Sequence, residues 1–490
     1  MSTIPIGHLS RLTHCACCYA WARGAQPLEG LYPGPVTVTE APRTRRSALW
    51  APDRRATTTG LLILVTIAAF EALAVNTALP TIARDLHGGA FYSWVFTAML
   101  AASVVGTVLS GNLSDRYGPA PGLLAGPVLF LAGLLVAGFA PTMPVLLAGR
   151  VLQGFGAGSQ IVALYVLIAA VYPVGDRPAA FGALSAAWVV PGLVGPALAG
   201  FVTQRLGWRW IFLGLAPLPL LAMLLLIGVA LRAHRDRRGG DEPQRPGLPL
   251  AALGAAAGLS AVTWAAQHPS SGWLALGLAI GGLVALAPAL RRLLPAGTLA
   301  ARPGIPVSVL ARGLWAGAFF GVQAYLPLTL TAVHGYSPTE AGLPLTLAAV
   351  GWAVASNTQK RLAGKPKGVI VRWAFLGLAP ALATLSLTAT PWGPAWLAAH
   401  LWGLAGVAMG LGYPAVNLLV LELSPANERG FNAAALQIAD MLGSATLVGF
   451  GGVLLAAFAS TERPTAAVVP FNLLMGAVAL TGATLFARRR

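Results

Sequence analysis

Apolar residues in this chain come in long, nearly unbroken runs. After a polar, Pro- and Arg-rich opening over residues 1–57, they recur at approximately 59–81, 92–111, 120–139, 143–166, 179–202, 210–231, 248–266, 273–290, 305–331, 340–357, 370–388, 395–420, 431–458 and 466–486. A helix needs roughly 20 apolar residues to cross the hydrocarbon core of a bilayer. Inside that core every backbone N–H and C=O must be satisfied within the segment, so the runs predict fourteen transmembrane helices. Gly and Pro are frequent within the runs, as membrane helices allow. The longest polar interior stretch, 232–247, holds Arg232, His234, Arg235, Asp236, Arg237, Arg238, Asp241 and Glu242, and parts the runs into six, two and six.

Composition agrees. Of the 490 residues 56% are apolar and 10% charged, against roughly 25% charged in soluble domains, so lipid must cover much of the surface. A net charge of +17 would also suit a nucleic-acid protein. The basic residues, however, fall in short bursts between runs, such as Lys360, Arg361, Lys365 and Lys367, with no basic stripe interleaved with aromatics to stack bases. Nucleic acid is therefore not an expected partner. An even number of crossings puts both termini on one side, and the positive-inside rule makes that side cytoplasmic. The opposite loops hold only Arg84, Arg205, Arg209 and Arg463. The expected location is the inner cell membrane.

The opening stretch reads as a disordered cytoplasmic tail. It lacks the clean apolar core of a signal peptide. The Ala-, Gly- and Arg-heavy composition suggests a GC-rich bacterial gene, for which Val36 and Val38 are expected as candidate true starts. All three cysteines, Cys15, Cys17 and Cys18, lie in this tail. With His14 they have no second ligand pair at metal-binding spacing, so neither a metal site nor a core disulfide is expected.

Four stretches carry finer information. Span 1 has Glu71 followed by Asn76, Thr77, Ala78, Leu79 and Pro80. Spans 2 and 3 are joined by Gly111-Asn112-Leu113-Ser114-Asp115-Arg116-Tyr117-Gly118. Span 4 has Arg150-Val151-Leu152-Gln153-Gly154, and span 5 has Gly182, Pro191, Gly195, Pro196, Ala199 and Gly200. In this order and on these spans they resemble the motifs of the major facilitator superfamily, in particular its fourteen-helix drug:proton antiporter branch, over residues 58–490. Glu71 stands where Asp is commoner. Pro119-Ala120-Pro121 replaces a basic pair, and Pro191 and Ala199 replace two glycines of the span 5 motif.

The resemblance implies an all-α integral membrane protein of two six-helix bundles that rock about a central cavity, plus two extra transmembrane helices. Its boundaries would be a tail at 1–57, bundles at 58–232 and 304–490, and a cytoplasmic loop with the extra hairpin at 233–303. The loop carrying Gly111, Asp115, Arg116 and Gly118 would lock one conformation, Asp115 being attracted to a neighbouring helix N-terminus. Gly195, Pro196 and Gly200 would let span 5 bend and approach a partner closely, for gating or for tight packing.

An ionisable group at membrane depth costs several kcal/mol unless paired or hydrated, which makes it a functional candidate. Three stand out: Glu71, Arg150 and Asp440. Helical rise puts Glu71 ~18 Å from the inner face and Arg150 ~10 Å from the outer face. In a core ~30 Å thick those depths nearly coincide. A Glu71–Arg150 pair is therefore expected, with Arg150 as the fixed charge, since arginine keeps its proton, and Glu71 as the proton carrier. The competing reading leaves Arg150 on backbone carbonyls and Glu71 hydrating the cavity. Asp440, with Gln437 one turn away, fits a second protonation site, a contact to a cationic substrate, or a helix–helix hydrogen bond from its protonated acid. Arg312, early in span 9, is expected to reach back to the inner face. Asn76, Gln153, Gln160, Trp188, Gln323, Tyr325, Asn417 and Gln437 are candidates for lining a substrate cavity. The low charge there suits an amphipathic or hydrophobic compound, or a cation drawn to Glu71 or Asp440.

No phosphate-binding loop, nucleophile elbow or clustered His, Asp or Cys site is present in the sequence. The expectation is a non-enzymatic, cofactor-free secondary active transporter, driven by the proton gradient. It would export small hydrophobic or cationic compounds, multidrug-type, by alternating access, working as a monomer with substrate, protons and the bilayer as its partners. Export of a lipid or a specific metabolite, and a non-transporting membrane sensor on the same fold, are the alternatives.

Overall fold

The structure, a computed structural model, describes residues 49–173, 175–235, 247–362, 364–425 and 428–486. The tail cysteines, residues 236–246 of the basic loop and the last arginines lie outside the described residues. Among the described residues the regular elements are helices: α1 (Arg55–Asp85), α2 (Trp94–Tyr117), α3 (Ala120–Gly138), α4 (Met143–Val171), α5 (Arg177–Ala186), α6 (Val189–Arg205), α7 (Arg209–Leu213), α8 (Pro217–Arg235), α9 (Leu248–Gln267), α10 (Trp273–Leu293), α11 (Ile305–His334), α12 (Pro338–Thr358), α13 (Lys367–Thr388), α14 (Leu397–Leu423), α15 (Arg429–Phe458) and α16 (Thr465–Leu485), with a few short 3-10 turns. Thirteen segments are long and apolar enough to cross a membrane. The remaining apolar run is α12, of membrane length but opening on Thr339 and Glu340.

Two of the runs are interrupted. Span 5 does not form one helix: α5 stops at Ala186 and α6 restarts at Val189. Proline lacks an amide donor and its ring clashes with the carbonyl four residues back, which for Pro191 is that of Ala187. Pro217 separates α7 from α8 in the same way. The folded chain also begins before residue 57. Leu49 is buried and its carbonyl accepts the Thr58 hydroxyl at 2.7 Å, while Arg54 Nη1 pairs with Asp176 Oδ2 at 3.3 Å.

Contacts repeat between the two halves. In the first, α2 and α3 pack on α4, α1 on α6 and α8, and α3 on α8. In the second, α12 and α13 pack on α14, α11 on α15 and α16, and α13 on α16. Each of these pairs recurs eight runs later. Glycines make the closest approaches. A Cβ at Gly154 would overlap the Met99 carbonyl of α2, and one at Gly406 would overlap the Ala348 carbonyl of α12. Small residues bring membrane helices together this way, because lipid supplies no hydrophobic drive. The extra hairpin is α9 and α10. Among the described residues α9 supplies the main contact with the rest, on α2 and α15, while α10 presents an apolar outer surface with Trp273 86% exposed.

The two halves meet at the face opposite the start of α1, the far face. There α6 lies along α12 and α2 along α15. Gly200 of α6 abuts Pro338 and Thr339, and Gly342 of α12 abuts Pro196. Tyr92 donates to the Ala324 carbonyl at 3.1 Å. At the near face, where α1 begins, the buried core divides. Leu61, Leu64, Leu123, Leu164, Leu167 and Leu226 belong to a cluster built from the first half alone, separate from the cluster that joins both halves. The conformation is closed at the far face.

Candidate functional site

Among the described residues each half holds one buried ion pair. In the first half α1 places Glu71 near its middle and α4 places Arg150 about seven residues from its far end. Glu71 is 0% exposed and Arg150 1%. Arg150 Nη1 pairs with Glu71 Oε1 and also donates to Gln153 Oε1 at 2.8 Å. Its Nε donates to the Val95 carbonyl of α2 at 3.0 Å, and its Nη2 lies 2.7 Å from Met99 Sδ. The guanidinium thus ties α1, α2 and α4 together. Glu71 Oε2 and Gln153 Nε2, an acceptor and a donor, are buried without a hydrogen-bond partner among the described residues.

The second pair corrects one expectation. Arg312 does not reach the membrane surface. It is 2% exposed, and its Nε donates to Asp440 Oδ2 at 2.8 Å. Its Nη1 donates to Asn417 Oδ1 at 3.2 Å, and the guanidinium lies 3.1 Å over the Tyr413 ring. The Tyr413 hydroxyl donates to the same Asp440 oxygen at 2.9 Å. A buried carboxylate within reach holds the guanidinium more strongly than distant water can, because opposite charges attract strongly in a low dielectric. Asp440 therefore sits in a salt bridge joining α11, α14 and α15. Its side chain keeps 10% exposure, against none for Glu71.

The two pairs occupy different depths. By helical rise Glu71 lies ~24 Å from the near end of α1, whereas Arg312 lies ~10 Å from the near end of α11. They do not form one cluster.

The remaining predicted residues scatter. Asn76 and Gln160 are buried on α1 and α4, each with its side-chain oxygen unpartnered among the described residues. Gln323 is buried on α11 and Gln437 half-buried on α15. Trp188, at the break in span 5, is 48% exposed. Tyr325 is not a free cavity wall: it stacks on Tyr92 with centroids 5.7 Å apart and donates to the Val448 carbonyl at 2.7 Å, within the closed far face. Gly195 faces Phe70 of α1 at ordinary contact distance, while Pro196 and Gly200 meet α12, so this stretch builds the seam between halves. In the loop motif, Gly118 has φ of 75°, a left-handed turn that favours glycine, and its N–H donates to the Ser114 carbonyl at 2.9 Å. Arg116 lies 5.1 Å from the Tyr117 ring centre, Asp115 is exposed in the last turn of α2, and Gly111 faces open space.

The sequence model of the Major Facilitator Superfamily matches residues 61–448. An uncharacterized MFS-type transporter of Mycobacterium tuberculosis is 29% identical over 428 residues, covering 84% of this chain and 61% of the relative. The chain thus spans under two thirds of that relative's length. A protein named as a probable multidrug-efflux transporter of the same organism is 30% identical over 398 residues, 77% of this chain and 82% of the relative. In fold, the chain is similar to the human organic anion transporter MFSD10, with a TM-score of 0.59 at 15% identity over 89% of this chain and 100% of that one. It is also similar to a peptide transporter, POT, with a TM-score of 0.62 at 16% identity over 88% and 95%.

Proposed function

The chain belongs to the Major Facilitator Superfamily of membrane transporters, and from that premise we propose that it is a proton-coupled exporter of small hydrophobic or cationic compounds working by alternating access. The supporting observation is the Glu71–Arg150–Gln153 cluster. Glu71 is a carboxylate with no exposed surface, paired with an arginine that also has neutral partners. Arginine keeps its charge, so the carboxylate is the group that exchanges a proton. On protonation Glu71 releases Arg150, which stays anchored on Gln153 and the Val95 carbonyl. The pair that ties α1 to α4 is then broken and the balance between conformations changes. Because Glu71 is occluded while the far face is closed, water reaches it only when the helices part. Proton uptake and release are thereby tied to the conformational cycle. A relative named for multidrug efflux supports the substrate class. Asp440, which retains some exposure, is the second proton site or the contact for a cationic substrate.

The test is transport in liposomes. A proton gradient is imposed and ethidium efflux followed for wild type and Glu71→Gln. The expected result is gradient-driven transport in the wild type and its loss in the variant. Equal transport by both would remove Glu71 from the mechanism.

A further inference from the structure

The extra hairpin touches the far-face seam at one polar point. Gln267, the last residue of α9, accepts a hydrogen bond from Trp94 Nε1 at 2.7 Å and donates through Nε2 to Ser93 Oγ at 3.1 Å. Ser93 is buried at the start of α2, in the first half. Directly across the seam is Gly452 of α15, in the second half. A Cβ there would overlap both Ser93 Oγ and Gln267 Nε2. One turn lower, Thr263 of α9 packs on Gly449 of α15. Among the described residues the hairpin is therefore hydrogen-bonded to one half and only packed against the other.

We propose that Gln267 is a positioning residue of the transport cycle: it holds Ser93 and Trp94 in the arrangement that closes over Gly452, and the hairpin is a working part of the far-face closure. The physical reason is the cost of leaving a buried polar group without a partner in the seam. Without the Gln267 amide, the Ser93 hydroxyl and the Trp94 indole N–H lose their partner and the close approach to Gly452 becomes less favourable. When the far face opens, the hairpin stays with α2, and the bare backbone of Gly449 and Gly452 is the surface that parts from it. This rests on alternating access but not on proton coupling or on any substrate.

The experiment measures the far-face opening itself in the full chain. Cys15, Cys17 and Cys18 are replaced by Ser, and spin labels are attached at Phe139→Cys and Trp392→Cys, two exposed far-face positions in opposite halves. Distance distributions are recorded in lipid nanodiscs by pulsed electron paramagnetic resonance. Gln267→Leu is expected to raise the open-to-closed ratio severalfold, because Ser93 and Trp94 are then no longer held in the arrangement that fits Gly452; the two hydrogen bonds themselves stay within one half and do not set the ratio directly. Ser93→Ala should give a shift of the same sign, and the double variant no more than the larger single one, because the two residues act as a unit. Gly452→Ala, approaching from the other half, should also favour opening. A residue that merely stabilises the hairpin would lower thermal stability without moving the distances. Unchanged distances in Gln267→Leu and Gly452→Ala, or strictly additive shifts in the double variant, would overturn the proposal. Ethidium efflux is a separate readout, so loss of proton coupling would leave this result standing.

Discussion

Arg150 and Gln153 sit one helical turn apart on α4 and are joined at 2.8 Å through Nη1 and Oε1, the same nitrogen that pairs with Glu71. If Glu71 is protonated as proposed, Gln153 and the Val95 carbonyl are what hold the arginine. Gln153→Leu keeps the volume and removes that acceptor. A hydrogen bond to a charged group contributes about 1.5–3 kcal/mol, so gradient-driven ethidium efflux should fall roughly tenfold to a hundredfold. The protein should still reach the membrane. A variant with wild-type rates would show that the Val95 carbonyl alone suffices.

The two ion pairs should respond unequally to loss of either partner. A buried carboxylate left alone can take up a proton, while an arginine cannot shed one. Removing the acid strands a buried cation, at about 3–5 kcal/mol for a broken buried pair. Glu71→Leu and Asp440→Leu should therefore lower the thermal midpoint in detergent more than Arg150→Met and Arg312→Met do. The reverse order would mean that the neutral acceptors around each arginine compensate fully.

Tyr413 touches the second pair in two ways, by its hydroxyl on Asp440 and by its ring under Arg312. Tyr413→Phe removes only the first and should cost about 1.5–3 kcal/mol. Tyr413→Leu removes the ring as well, adding the loss of a desolvated cation–π contact of about 2 kcal/mol. Thermal melts of the two variants separate these contributions. Equal melts would show that the ring adds nothing.

The sequence exposed what depends on local composition and on depth. Bilayer-length runs of apolar residues located the helices to within a few residues, because lipid forces each to satisfy its own backbone. Depth arithmetic on spans 1 and 4 also brought Glu71 to Arg150. The same arithmetic was open to Arg312 and Asp440, but a long side chain near a helix end can as easily snorkel, and Tyr413 gave no charge to betray the cluster. The break in span 5 was written in Pro191, whose ring reaches back to Ala187. Gln267 had no such signal. Its partners lie 173 and 174 residues away, and a polar residue at the end of an apolar run is what any helix end in a membrane shows.

Glycine positions separate folding from gating. Gly154 lies within the first half, where a side chain would collide with the Met99 backbone between α2 and α4. Gly200 lies between the halves, where a side chain would meet the backbone of Pro338 and Thr339. Both contacts are with backbone, which cannot rotate away, so valine at either position must push helices apart. In the first case the displaced helices belong to one tightly packed bundle, and Gly154→Val should lower yield and thermal midpoint, at about 1–3 kcal/mol for overpacking. In the second case the displaced bodies are the two halves, which the proposed alternating-access cycle would separate. Gly200→Val should melt near the wild-type temperature yet lengthen the distance between labels at Phe139→Cys and Trp392→Cys. A Gly200→Val protein that unfolds instead, or that keeps the closed distance, would show that α6 and α12 are a fixed contact and not one that opens.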